Sequence, residues 1–215
     1  MPLAINLVCT RCTDQNHIAL RRWYADHVHL LLAAPELRQA TLYRCRQPLA
    51  GQPPDYFCMY EFASLDDFLA FEHGEPKARA TELTNAAAGR SSIEIVQRTQ
   101  YERWLHRKWP APAKKQGDAW RLAACFENEA GWQLDAQRWL ADHLQALQGC
   151  TPLMGAQVFS SEGQAFMVLD FAGGDAAVIW QLLQDQLALP ALYGQAQSIQ
   201  IRWAANAVQW QAWAR

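Results

Sequence analysis

Residues 22–27 read Arg22-Trp23-Tyr24-Ala25-Asp26-His27, and residues 138–143 read Arg138-Trp139-Leu140-Ala141-Asp142-His143. Five of the six positions match, at an offset of 116. No other feature of the 215-residue chain constrains its fold as strongly, because fixed-offset self-similarity marks a repeated structural unit. The flanking segments recur in the same order. Ala4-Ile5-Asn6-Leu7-Val8-Cys9 has a counterpart in Arg121–Phe126, and Thr41-Leu42-Tyr43 in Gln157-Val158-Phe159. Tyr56–Phe62 falls on Ala165–Phe171, and Ser92–Ile95 on Ser198–Ile201. The offset shortens across loops, one of which carries Leu49-Ala50-Gly51-Gln52-Pro53-Pro54 in the first half alone.

Each half reads β-α-β-β-α-β. Residues 3–9 alternate as a strand. A helix is expected from the N-cap Asn16 to about Ala33, with Leu20, Trp23, Tyr24, His27 and Leu31 along its apolar face. Strands are expected over 40–46, 56–62 and 92–99. Ser64-Leu65-Asp66-Asp67 opens a second helix, which Gly74 and Pro76 break before a further segment through Ala88. This order is the ferredoxin-like split motif. The expected fold class is therefore α+β: two ferredoxin-like units whose antiparallel four-stranded sheets pack face to face as a pseudo-dimeric α+β barrel. Such a sheet has helices on one face only, and each unit can cover the bare face of the other. The expected boundaries are 1–102 for the first unit, 103–117 for a Pro-, Lys- and Gly-rich linker, and 118–215 for the second. Further self-association of the intramolecular barrel is left open.

Composition narrows the function classes. The formal net charge of −2 gives no electrostatic case for nucleic acid or an anionic membrane. No apolar run approaches the roughly 20 residues of a membrane helix. The N-terminus reads as a strand rather than a signal peptide. The six cysteines do not form a disulfide-framework pattern, so a reducing cytoplasm is expected.

The residues Trp23-Tyr24-Ala25-Asp26-His27, Leu30-Leu31, Pro35, Thr41-Leu42-Tyr43-Arg44 and Tyr56–Phe62 resemble the dimeric α+β-barrel superfamily, and within it the EthD-like branch. The resemblance implies an eight-stranded barrel from two facing sheets, with a pocket in each unit between sheet and helices. It also implies relatives that are cofactor-free isomerases, cyclases and monooxygenases acting on aromatic molecules, and others that bind haem. Fold alone does not choose among these.

Several side chains carry candidate chemistry. His27, on an apolar helix face, is expected mostly buried with a pKa below about 6.5, suited to acid–base work; a core imidazole bonded to a carbonyl is the competing reading. His143 is its second-half equivalent. Tyr43 is a candidate partner for His27 or for a substrate oxygen, and Trp23, Tyr24 and Tyr60 are candidate substrate-binding residues. Arg22 and Asp26 have the spacing of a surface ion pair. Cys9 and Cys12 have Cys-x-x-Cys spacing, but no second pair completes a metal site, and none is expected. The leading expectation is a cofactor-free enzyme for a small apolar or aromatic molecule. A non-catalytic binding module, or a haem protein with His27 or His143 as axial ligand, are the alternatives.

Overall fold

The computed structural model describes residues 3–87, 90–110, 118–127, 144–145, 147–148, 151–187 and 200–214. In chain order the elements are β1 (Ala4–Cys12), α1 (His17–Leu31), β2 (Leu37–Gly51), β3 (Tyr56–Phe62), α2 (Leu65–Glu72), α3 (Glu75–Asn85) and β4 (Ile93–Lys108). They continue with β5 (Trp120–Glu127), β6 (Leu153–Ser161), β7 (Gln164–Phe171), α4 (Ala176–Leu187) and β8 (Gln200–Ala214). The strands form one closed barrel in the order β1-β3-β2-β8-β5-β7-β6-β4. The fold class is thus the expected α+β barrel. The chain divides into two compact units. One comprises Met1–Cys45, Pro54–Glu102 and Gln209–Arg215, the other Arg46–Pro53 and Arg103–Val208.

Local signals explain the helices of the first unit. The Asn16 side chain caps α1 by accepting from Ala19 N at 3.0 Å, and Ser64 caps α2 by accepting from Asp67 N at 3.1 Å. Gly74 caps α3 in an extended conformation, with Pro76 in its first turn. The apolar face of α1 buries Leu20, Trp23, Tyr24, Val28 and Leu31. It packs on Ala4, Ala40, Leu42, Tyr56, Cys58, Tyr60 and Phe62 of the sheet. Phe62 also meets Phe68 and Phe71 of α2 at 5.3 and 5.1 Å.

Strand register sets which side chains look toward the helices. Asn6 pairs with Tyr60, Val8 with Cys58 and Thr10 with Tyr56, so these share the helix side. Leu7 with Met59, and Cys9 with Phe57, share the other side. On β4 a bulge leaves Val96 unpaired, because Cys9 pairs with Gln97 and Thr10 with Ile95. A second bulge lies between Leu37 and Gln39.

In the other unit, Leu122, Ala124, Phe126, Met167, Leu169 and Ala204 form a core with Ile179, Trp180 and Leu183 of α4. Its bulges fall between Cys125 and Phe126 and between Leu153 and Gly155, both 116 residues after those of the first half. Gly51 ends β2 at φ +59°, and a Cβ there would lie 2.1 Å from the Arg202 carbonyl oxygen, so only glycine fits.

Two expectations need adjustment. β4 runs through Lys108, so residues 103–108 of the segment read as linker are strand; the repeated sheet period there is masked by Arg and Lys. β2 continues to Gly51, well past residue 46.

Candidate active site

A cavity of about 110 Å³ lies in the first unit between the sheet and its helices, the place the family resemblance implied. β1 contributes Asn6, Val8 and Thr10, α1 contributes Trp23, Tyr24, His27 and Leu31, and β3 contributes Tyr60. Lys77 and Thr84 come from α3, Arg90 from the turn before β4, and Ile95 and Arg98 from β4. Ile95 and Arg98 share this side because of the bulge at Val96.

His27 is mostly buried, as expected, without being fully enclosed. Its ring stacks on Trp23 with centroids 4.7 Å apart and planes at 15°. Its Nδ1 lies 2.9 Å from Thr84 Oγ1. The Thr84 hydroxyl donates its single hydrogen to the Ala80 carbonyl at 2.6 Å, so its oxygen accepts from His27. The network therefore assigns the proton to Nδ1 and the lone pair to Nε2. Trp23 anchors the same point, donating from Nε1 to the Thr84 carbonyl at 3.0 Å. Burial, then Arg98, then Arg90 lower the His27 pKa to about 4. The imidazole is neutral throughout the physiological range.

The surrounding polarity is mostly cationic. Arg90 donates to the Ile93 carbonyl at 2.6 Å and stands over the Trp23 ring at 6.0 Å. Arg98 Nη2 donates to Glu72 Oε1 at 2.7 Å. Lys77 pairs with Oε2 of the same carboxylate. Asn6 is 3% exposed and lines the cavity. The Tyr24 hydroxyl donates to Thr10 Oγ1 at 3.3 Å, and burial raises its pKa. Burial likewise holds the Tyr60 phenol well above its ordinary pKa. Both are hydrogen-bonding groups here, not acids.

Of the sequence candidates, His27, Trp23, Tyr24 and Tyr60 converge on the cavity. Tyr43 does not. It pairs with Phe57 on the opposite side of the sheet and stacks on that ring at 4.8 Å. It cannot act with His27 from there, because successive strand side chains point to opposite faces. His143 lies outside the described residues. Cys9 and Cys12 form no disulfide, and register puts them on opposite faces of β1, as an i, i+3 pair in a strand must be. Arg22 and Asp26 are both exposed and form no ion pair. Asn6, Thr84, Arg90 and Arg98 were not singled out from sequence. Only Asn6 left a signal, as a lone amide inside an apolar strand.

No known protein-family profile matches the chain, and no curated protein sequence matches it. Solved structures do. A variant chlorite dismutase from Candidatus Nitrospira defluvii superposes with a TM-score of 0.57 at 10% identity, covering 97% of this chain and 92% of that one. An anthrone oxidase-like protein gives 0.56 at 12%, covering 99% and 93%. A proposed monooxygenase from Lactobacillus acidophilus NCFM gives 0.53 at 9%, covering 99% and 96%. At these identities the likeness is of fold: the chain has the dimeric α+β-barrel fold. No helix among the described residues is long and apolar enough to cross a membrane.

Proposed function

We propose that the first-unit cavity is the active site of a cofactor-free enzyme that moves a proton on a small, largely apolar or aromatic molecule. The observation that carries this reading is His27 on the cavity wall, held as the Nδ1–H tautomer by Thr84. A substrate with an acidic C–H beside a carbonyl, or a ring hydroxyl, would give its proton to Nε2. The bonding pair would move onto the substrate oxygen, and Arg98 would oppose the charge formed there. Returning the proton to a different atom completes an isomerisation without any oxidant. A volume of about 110 Å³ suits a molecule of about one ring.

The test is exchange of α-protons of aryl ketones in D2O, followed by NMR. Wild-type protein should accelerate exchange, and His27→Gln should abolish it at unchanged melting temperature. Exchange equal in both proteins removes the base role. A second reading, binding without turnover, is favoured by the low basicity of His27. Ligand binding without any exchange would support it.

The cavity at His27 is several times smaller than a porphyrin, so its residues do not fit a haem as they stand. A Soret band after adding haem would overturn the cofactor-free reading. We assign the two halves to a tandem duplication, supported by the paired bulges at a 116-residue offset. The EthD-like branch remains the assignment favoured by the motif around Trp23 and His27.

A further inference from the structure

The charge around the cavity is unbalanced. Lys77, Arg90 and Arg98 line it, and among the described residues no Asp or Glu does. One carboxylate, Glu72, serves both Lys77 and Arg98. Arg90 has only a neutral carbonyl and an indole face. Beside these cations Asn6, 3% exposed, contributes its amide to the cavity wall. Like charges gathered at a partly open, partly apolar site favour an anion that joins them.

We propose that the ligand of this cavity is a small carboxylic acid, bound as its carboxylate by Arg90 and Arg98, with Asn6 hydrogen-bonded to its polar atoms. This rests on the reading of the cavity as a substrate site and names its substrate class. Guanidinium groups bind carboxylates through paired N–H donors, which suits a planar monoanion. Cancelling the Arg98 and Arg90 charges also removes two of the influences that keep His27 weakly basic. A bound carboxylate would therefore make the imidazole a better proton acceptor when substrate is present. Glu72 is the competing anion, and it holds Arg98 and Lys77 only through its own side chain.

Calorimetric titration with benzoate, its neutral isostere benzamide, and phenylphosphonate tests the assignment on the full chain. Benzoate should bind at least tenfold more tightly than benzamide. Arg90→Gln and Arg98→Gln should each weaken benzoate at least fivefold and leave benzamide unchanged. Arg98 has a side chain 46% exposed, so its variant should fold, and a melting curve checks this. Glu72→Gln should act in the opposite sense and tighten benzoate, by releasing two cations. Equal affinity for benzoate and benzamide, both lost in Trp23→Ala, would overturn the carboxylate and keep the cavity as a ligand site. Phenylphosphonate binding more tightly than benzoate would replace the carboxylate with a phosphonate-type anion. Binding of none of the three would overturn both the ligand class and the substrate-site reading.

Discussion

On the helix side of the first half stand Asn6, Thr10, Tyr60 and Arg98. At the register-matched positions of the second half stand Leu122, Phe126, Leu169 and Ala204; the register sets Ala4–Cys9 on Trp120–Cys125, one residue before the match read from the sequence. The backbone is the same at these places, down to the bulge beside Cys9 and Cys125. The side chains have opposite chemistry. In the first half they surround a cavity, and in the second they join an apolar core. A barrel scaffold therefore tolerates either solution between sheet and helices. What separates a candidate site from packing is a handful of inward side chains.

The sharpest way to break this contrast is to exchange residues across it. Leu122→Asn places an amide in a fully buried apolar position. It should cost about 3 kcal/mol in urea unfolding. The reverse change, Asn6→Leu, should leave stability within about 1 kcal/mol of wild type or raise it, because it puts at this place the apolar side chain that the matching position, Leu122, carries. If Asn6→Leu proves as damaging as Leu122→Asn, the two positions are equivalent structural residues and the contrast fails.

Next in size is a pH effect that belongs to the first half. Unfolded, the His27 ring protonates near its ordinary 6.5; folded, only near 4. Between those values the unfolded chain binds more protons, so stability falls as pH drops from about 6.5 toward 4 and is fully present above 6.5. Allowing for partial exposure, the loss should be about 2 kcal/mol. His27→Gln should flatten this part of the profile in urea titrations at pH 7 and pH 4.5. An unchanged profile would mean that other groups carry it.

Helix caps give a smaller comparison. Asp175 accepts from both Ala177 N and Val178 N, at 2.8 and 3.1 Å, whereas Ser64 accepts one bond. Ser64→Ala should cost about 1 kcal/mol and Asp175→Ala slightly more, read from thermal melts. The reverse order would show that tertiary packing, not capping, fixes these helix starts. Smallest is Arg22→Ala, expected to change stability by less than about 0.5 kcal/mol because Arg22 holds no ion pair. A larger loss would reveal a role for Arg22 that its exposure does not suggest.

These comparisons also show what the sequence made legible. β3 at Tyr56–Phe62, the Ser64 cap and the break at Gly74 are local signals, and each appears where it was expected. The facing of Tyr43 was not legible. Thr41, Leu42 and Tyr43 are all buried, and a strand buried on both sides shows no alternation from which to choose a face. Tyr60 fell on the cavity side because it pairs with Asn6, and Tyr43 fell on the other because it pairs with Phe57. Thr84 and Arg98 reach His27 from 57 and 71 residues downstream in the chain, and no local pattern links them. The tautomer of His27 depends on a hydroxyl that sequence cannot place.

The unpaired Val96 makes the charge of the cavity a matter of parity. In a regular ladder continuing from the Thr10–Ile95 pair, Arg98 would stand opposite Leu7 and face away from the helices. The extra residue moves it opposite Val8 instead, on the side of His27. The same irregularity recurs in the second half, where it turns Ala204 and Asn206 to the side of Leu122. Its shared purpose is then mechanical: bulges bend a strand and increase its twist, as closing a barrel requires. The cation on the side of His27 is a by-product of curvature, an arrangement that the need to bend supplied.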